Sequence, residues 1–272
     1  MQELRELLSD GPGDPGLDLA ALQIASIEYP EISPEPFLEL LDSYARELGE
    51  RLSQTADGEE FIHTMNEYLF EELGFQGNQH DYYHPGNSCL NEVLTKRVGI
   101  PISLSVVYME IARRLGRTVH GIGLPGHFIV QYEDEHVTAF IDPFHAGRLM
   151  SDTECFELAQ EITGLDVSAD PTVLKPVSKR QILLRMLNNL RSEYFQRREP
   201  LRAIEVLGLL IEADPGSPEE YKQRGVCLAQ VQRFEEARQS LESYLRLSPE
   251  APDRDPVSQQ IERINRYLAA LQ

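Results

Sequence analysis

Apolar residues recur at intervals of three and four positions along the chain up to residue 116. The clearest run carries its apolar face on Phe37, Leu38, Leu41, Tyr44, Ala45, Leu48 and Leu52. This spacing places the apolar side chains on one side of a helix. Ser33 and Pro34 precede the run, and both residue types are favoured where a helix begins. The pattern predicts helices over residues 17–29, 33–53, 59–73, 87–98 and 103–116.

The pattern changes after Gly116, where short segments rich in β-branched and aromatic residues are bounded by turn residues. Such segments are typical of strands, and they are found at residues 118–124, 127–132 and 137–142. Helices around a short antiparallel sheet predict an α+β domain. Nearer the N-terminus, the glycine- and proline-rich residues 10–15 are expected to form an irregular, flexible lead-in.

Two of the predicted strands form a hairpin that brings a histidine and an aspartate together. If residues 133–136 form the loop, Tyr132 pairs with Val137, and His127 lies directly opposite Asp142 on the same face. A carboxylate beside an imidazole fixes its tautomer and supports its protonated form, as a general base requires. Alternatively, the pair is purely structural and joins the two strands. Histidines without such a partner are expected at the surface or in loops, and they are His84, His120, His136 and His145.

The last third of the chain repeats with a period of 34 residues. The offset relates Asp214-Pro215 to Ser248-Pro249, and it relates Ala203 to Ala237, where small side chains would let paired helices approach. Units of two helices closed by a proline at this period are typical of tetratricopeptide repeats. An ordinary bundle of helical hairpins is the alternative. The register predicts repeats over 183–216 and 217–250 and a capping helix over 257–271.

Composition narrows the classes of function. The 272 residues carry a formal net charge of −20, which repels phosphate backbones, so nucleic-acid binding is not expected. No apolar stretch is long enough to cross a bilayer, and the N-terminus lacks the basic start and apolar core of a signal peptide. Three separated cysteines without CxxC spacing predict neither a disulfide framework nor a zinc site. We therefore expect a cytoplasmic protein that does not contact membranes.

A candidate nucleophile stands at the beginning of the fifth predicted helix. The unpaired amides and the positive dipole end at a helix start would stabilise an anion developing on Ser103. With His127 as base and Asp142 as orienting group, Ser103 would complete a catalytic triad. The alternative is that Ser103 only caps the helix. No phosphate loop, metal-ligand cluster or cofactor motif is present, so we expect neither a cofactor nor a metal.

Several motifs make residues 17–155 resemble the transglutaminase-like domain of the bacterial SirB-type proteins, a family of largely undefined function. The motifs follow the family's order and read NEYLFEELGF (66–75), NSCLNEVL (87–94), GIPISLS (99–105), LPGHFI (124–129) and IDPF (141–144). Tetratricopeptide repeats usually follow this domain in the family, so the resemblance covers nearly the whole chain. It implies a mostly helical α+β domain with a small antiparallel sheet over residues 1–177, followed by an all-α repeat segment over 178–272.

The resemblance also implies the core of transglutaminases and papain-like proteases, where a cysteine starts a helix and a histidine and an aspartate follow on adjacent strands. Carried over by position, these three roles fall on Ser103, His127 and Asp142. Because serine replaces the cysteine, thiol chemistry at position 103 is not expected. Cys89 lies 14 residues earlier and is interpreted as a packed residue, with a displaced nucleophile as the alternative.

Three functions remain open from the sequence, and the third is regulation of gene expression through a protein partner, which only the family resemblance suggests. The first is a protein-interaction or regulatory scaffold whose repeats bind a protein or peptide partner. The second is a Ser-dependent hydrolase or acyltransferase that uses Ser103, His127 and Asp142. Serine at the nucleophile position favours the scaffold, whereas retention of the His-Asp pair favours the enzyme.

Overall fold

The structure is a computed structural model that describes residues 1–9, 16–168 and 170–270. The predicted lead-in at 10–15 and the last residue of the predicted capping helix lie outside these ranges. The α-helices are α1 (Gln2–Leu8), α2 (Leu17–Ala25), α3 (Glu35–Arg51), α4 (Gly58–Asn66), α5 (Leu90–Lys96), α6 (Pro101–Arg114), α7 (Asp152–Thr163), α8 (Lys179–Arg197), α9 (Pro200–Ala213), α10 (Pro218–Gln230), α11 (Phe234–Leu247) and α12 (Arg254–Ala270). The strands are β1 (Gln76–Gly77), β2 (Val98–Gly99), β3 (Val119–Ile122), β4 (Ile129–Glu133), β5 (Thr138–Asp142) and β6 (Arg148–Met150).

The five helices predicted for the first part of the chain all form, with different ends. The third divides into α4 and a π-helical segment at Glu67–Glu72, and the fourth begins as the 3-10 helix Pro85–Ser88 before α5. The fifth, α6, begins at Pro101 and not at Ser103. Proline is favoured at the first helical position, because its fixed φ suits a helix and its missing N–H has no partner to lose there.

The predicted antiparallel sheet also forms, with strand order β3-β4-β5-β6, but the predicted hairpin register is wrong by two residues. Tyr132 pairs with Ala139 and not with Val137. The cause lies in the turn, where Oδ1 of Asp134 accepts the backbone N–H groups two and three residues ahead, each at 2.8 Å. These bonds end the strand at Glu133. A shift of two residues keeps every side chain on its predicted face, whereas a shift of one would not.

Helix α6 lies in the interior of the first part of the chain. It packs against α3, α5, β3 and β4, and 11 of its 14 residues are buried. A helix that is enclosed on nearly all sides is fixed in position by its neighbours. The first turn of α6 is therefore held rigidly, and it carries Ser103.

Helices α8 to α12 form the tetratricopeptide segment. The pair α8 and α9 corresponds to the first predicted repeat, and the pair α10 and α11 to the second, with α12 packed on α11. Ala203 and Ala237 are fully buried, as the repeat pattern requires. Helix α8 also packs against α1, α2 and α6, so the first repeat shares this helix with the preceding core. The predicted domain boundary between residues 177 and 178 lies just before α8 and remains a prediction.

No helix within the described ranges is both long enough and apolar enough to cross a bilayer.

Candidate functional site

Asp142 is a buried carboxylate that lies between two histidines. Its Oδ2 atom lies 2.9 Å from Nε2 of His127 and 2.7 Å from Nδ1 of His145. Asp142 and His127 are 0% and 4% exposed, whereas the side chain of His145 is 40% exposed. The structure thus brings together the predicted His127 and Asp142 and adds a third residue. The expectation that His145 lacks a comparable partner is wrong.

The local sequence explains how His145 reaches Asp142. Asp142 ends β5 and caps the 3-10 helix Pro143–His145, because its Oδ1 atom accepts the N–H groups of Phe144 at 3.0 Å and His145 at 3.3 Å. In a 3-10 helix, side chains three positions apart lie above one another, so His145 is brought over Asp142. The Asp-Pro pair at the end of a predicted strand was the sequence signal for this turn.

Electrostatics favour the ionised form of Asp142. Burial by itself would raise the pKa of this carboxyl group, but the hydrogen bonds and charges of His127 and His145 outweigh burial, and its pKa lies below the ordinary value. An ionised carboxylate only accepts hydrogen bonds, so Nε2 of His127 and Nδ1 of His145 both carry a hydrogen. In neutral His127 the lone pair is therefore on Nδ1.

His127 is held by a tight turn before β4. Its N–H group donates to the Leu124 carbonyl at 3.1 Å, and Gly126 adopts a positive φ of 73°. A side chain at Gly126 would also meet Ile162 of α7 at 2.5 Å. Both constraints require glycine here, which accounts for the sequence LPGH.

Ser103 forms its hydrogen bonds with the backbone. It is fully buried at the third position of α6, where its Oγ atom accepts the Ile100 N–H at 3.1 Å. The hydroxyl also donates to the Asn87 carbonyl at 2.6 Å. Within the described ranges, no hydrogen bond joins Ser103 to His127. Its observed contacts are those of a residue that caps a helix and ties α6 to the segment before α5.

Cys89 has the environment of a packed residue. It is fully buried at the N-cap position of α5, and burial raises the pKa of its thiol well above the ordinary value. A thiol of this kind is protonated and therefore a poor nucleophile.

A recess of about 150 Å³ lies beside His127, between the first turn of α6 and α8. Ile100, Pro101 and Ile102 form one wall, and Arg185 and Asn189 of α8 form another. No serine, threonine or cysteine lines the recess among the residues that the structure describes. On the far side of Asp142, His145 lines a second recess of about 480 Å³.

The histidines and Asp142 also form a set that could bind a metal ion. One possible ligand atom from each of His127, Asp142 and His145 lies within 4.8 Å of the other two. A divalent metal would have to displace the hydrogen from both ring nitrogens, because only a lone pair coordinates metal. The three groups already satisfy one another by hydrogen bonding, and their arrangement is accounted for without a metal.

Comparisons with known proteins agree with this architecture. A family model described as transglutaminase-like superfamily matches residues 35–188, and a tetratricopeptide repeat model matches residues 190–262. A UPF0162 protein of Xylella fastidiosa is 35% identical over 240 residues, which cover 87% of this chain and 85% of that protein. A UPF0162 protein of Pseudomonas aeruginosa is 30% identical over 248 residues, which cover 91% of this chain and 90% of that protein. F-box only protein 21 of Homo sapiens is 33% identical over 139 residues, covering 48% of this chain and 21% of that protein.

Proposed function

We propose that this chain, which belongs to the transglutaminase-like superfamily, is a cytoplasmic protein-interaction scaffold. It carries a tetratricopeptide segment and is 30–35% identical to bacterial UPF0162 proteins over most of its length. Its repeat segment binds a peptide of a partner protein. Its transglutaminase-like core supports that segment and presents ligand-binding surface, without nucleophilic catalysis. The observation that carries this proposal is a groove between the end of α8 and α10.

The groove has the size and the chemistry that peptide binding requires. Its volume is about 550 Å³, and Phe195 and Val226 are each 38% exposed along it. Exposed apolar side chains in a concave surface are typical of peptide-binding sites, because burying them against a ligand is favourable. A ligand with an apolar side chain would cover both residues.

The groove is lined by two cations, Arg198 and Lys222, and by two carboxylates, Glu199 and Glu219. Arg198 lines it and has no ion-pair partner within the described ranges, whereas Lys222 is already paired with Asp253 at 2.6 Å. An unpaired guanidinium favours a carboxylate on the ligand. The groove therefore suits a peptide in which an acidic residue stands next to an apolar one.

The surroundings of His127 support a core without nucleophilic chemistry. The helix start that borders the recess presents Ile100, Pro101 and Ile102, none of which has a hydroxyl or thiol group. Ser103 uses its hydroxyl in hydrogen bonds to the backbone of Ile100 and Asn87. Serine at position 103, where the related enzymes have cysteine, is compatible with the fold but cannot perform their thiol chemistry.

The alternative is a Ser-dependent hydrolase or acyltransferase with Ser103, His127 and Asp142 as its triad. The buried contact of 2.9 Å between His127 and Asp142 favours it. In this alternative, Ser103 would have to exchange its present hydrogen bonds for one to His127. The labelling experiment at the end of the Discussion distinguishes the two functions.

Peptide selection tests the scaffold directly. We would select binders to the full chain from a random peptide library and measure them by fluorescence anisotropy against Phe195→Asp and Arg198→Glu. The matched control is Leu149→Asp on β6, which changes an exposed leucine outside the groove. We expect enriched peptides that combine an apolar with an acidic residue, and binding at least tenfold weaker for both groove variants. Peptides that bind all three variants as well as the wild type would refute the groove.

A further inference from the structure

The recess beside His127 contains an arginine that lacks a counter-ion. Nη2 of Arg185 donates to the carbonyl oxygens of Leu124 at 2.9 Å and His127 at 2.6 Å, which fix the guanidinium in place. No carboxylate pairs with Arg185 within the described ranges. Burial lowers the pKa of this guanidinium, yet arginine stays protonated in proteins. A fixed, half-buried positive charge is thus left without a partner in a chain of net charge −20.

Two further donor groups of the recess have no hydrogen-bond partner among the described residues. Neither the Tyr82 hydroxyl nor the Asn189 amide forms a hydrogen bond to any described residue, and both line the recess. Asn189 lies one turn after Arg185 on α8, so the two side chains share a face. His127 is 4% exposed, and its Nδ1 atom has no partner in the described part of the chain.

The start of α6 adds to this set. The helix has 14 residues, and its first turn borders the recess with Pro101 and Ile102. The first N–H groups of a helix have no acceptor inside it and point outward from its positive end. Pro101 has no N–H group and that of Ile100 donates to Ser103, so the N–H group of Ile102 is the one left at this edge of the recess. No aspartate or glutamate lines the recess among the described residues. Donors and positive charge from two separate elements therefore meet in one small, partly apolar cavity.

We infer that this recess binds a carboxylate group, supplied either by a small organic acid or by the C-terminal carboxylate of a peptide. Nη2 of Arg185 uses both of its hydrogens on the two carbonyls, and the N–H groups of Nη1 and Nε, which have no partner within the described ranges, can each donate to a carboxylate oxygen. About 150 Å³ accommodates a carboxylate with a few carbon atoms, which would lie against Pro101 and Ile102. A phosphate has no alkyl chain to use this apolar wall. The site is separate from the groove between α8 and α10 and does not depend on it.

Titration of the full chain with defined probes tests the inference. The probes are sodium propionate, trialanine, trialanine amide and inorganic phosphate. Their binding is measured by calorimetry or by NMR chemical shifts at constant ionic strength. We expect propionate or trialanine to bind, and phosphate to bind at least tenfold more weakly than the better of the two. Trialanine amide lacks the carboxylate and should not bind.

Two variants report on the site. Arg185→Gln removes the charge, but it also removes the bonds to Leu124 and His127 and could disturb the fold. Asn189→Asp leaves those bonds in place and puts a negative charge into the recess. The matched control is Asn188→Asp, which adds the same charge to the preceding residue of α8, outside the recess lining. We expect at least tenfold weaker binding for Asn189→Asp and less than a twofold change for Asn188→Asp.

The two sources of the carboxylate give different results, and both support the site. Tighter binding of trialanine than of propionate identifies a peptide C-terminus, and the reverse order identifies a small acid. Three results would overturn the inference. Any one of them is sufficient. The first is that neither carboxylate probe binds to folded wild type, and the second is that phosphate binds as tightly as the better carboxylate probe. The third is that Asn189→Asp binds that probe with the same affinity as wild type.

Discussion

The Nε2 atom of His127 lies 2.9 Å from the Oδ2 atom of Asp142, although the two residues are not directly opposite each other in the sheet. The same oxygen accepts a hydrogen bond from His145, and the other oxygen accepts two backbone N–H groups. A carboxylate offers about four acceptor positions, so all of them are occupied here. Asp142 thus connects the end of β5, the following turn and the segment before β4.

Asp142→Asn should destabilise the protein strongly. An amide oxygen cannot replace both carboxylate oxygens, and the amide nitrogen would face N–H donors. We expect the free energy of unfolding at pH 7 to fall by about 3 kcal/mol, measured by urea denaturation. Asp152→Asn, at an exposed position in the first turn of α7, serves as the control and should cost less than about 1 kcal/mol.

The pH dependence of this difference has a definite sign. The folded-state pKa of Asp142 is lowered, so its stabilisation is present above the ordinary value of 3.8 and is lost as the pH falls through the folded-state value. The free energies of unfolding of wild type and Asp142→Asn should therefore differ most above pH 4 and become similar in more acidic solution. Equal stability at pH 7 would show that Asp142 does not have the central role described here.

Glu193 should destabilise the folded protein at alkaline pH. It is 4% exposed in α8, and burial raises the pKa of its carboxyl group to about 8. Because the folded state holds this proton more tightly than the unfolded chain, stability should fall as the pH rises from about 4.5 to about 8. Glu193→Gln should remove that slope and raise the free energy of unfolding at pH 8 by about 3 kcal/mol.

The control for Glu193→Gln is Glu205→Gln, at an exposed position of α9. Urea denaturation of both variants between pH 4.5 and pH 8.5 measures the effect. Glu205→Gln should follow the wild-type curve within about 0.5 kcal/mol. A Glu193→Gln curve parallel to that of wild type would contradict the assigned pKa.

Two glycines in the repeat segment should respond to alanine in opposite directions. A Cβ atom at Gly225 of α10 would meet Leu241 of α11 at 2.7 Å, whereas one at Gly208 of α9 would meet nothing within 4 Å. Gly225→Ala should lower the free energy of unfolding by about 1–3 kcal/mol through overpacking. Gly208→Ala should raise it by about 0.5–1 kcal/mol, because alanine favours the helix. Thermal unfolding of both variants checks the packing of the second repeat, and a stabilised Gly225→Ala would contradict it.

Periodicity predicted the fold class and most helices, because a buried helix face leaves a regular apolar pattern. It did not show where helices begin, since Pro101 extends α6 beyond the apolar run. The hairpin register was wrong because a single side chain, Asp134, closes the turn at a position that strand pattern alone does not specify. Helices α1 and α7 and strands β1, β2 and β6 were not predicted.

The candidate site was predictable only in part. His127 and Asp142 could be paired from the sequence because a two-residue error in register leaves both on one face. His145 was missed, since its contact depends on the cap of a turn and not on a strand. Arg185 could not be found from sequence either, because it reaches the recess from α8, 58 residues beyond His127.

We propose that the transglutaminase-like core has no activated nucleophile. Intact-mass analysis after treatment with a fluorophosphonate probe tests it most directly, on folded wild type and on Ser103→Ala and His127→Ala. Because the Ser103 hydroxyl is fully buried and donates to the Asn87 carbonyl, we expect no adduct on any of the three proteins. A single adduct on wild type that is absent from both variants would contradict the claim and establish Ser103 as an activated serine.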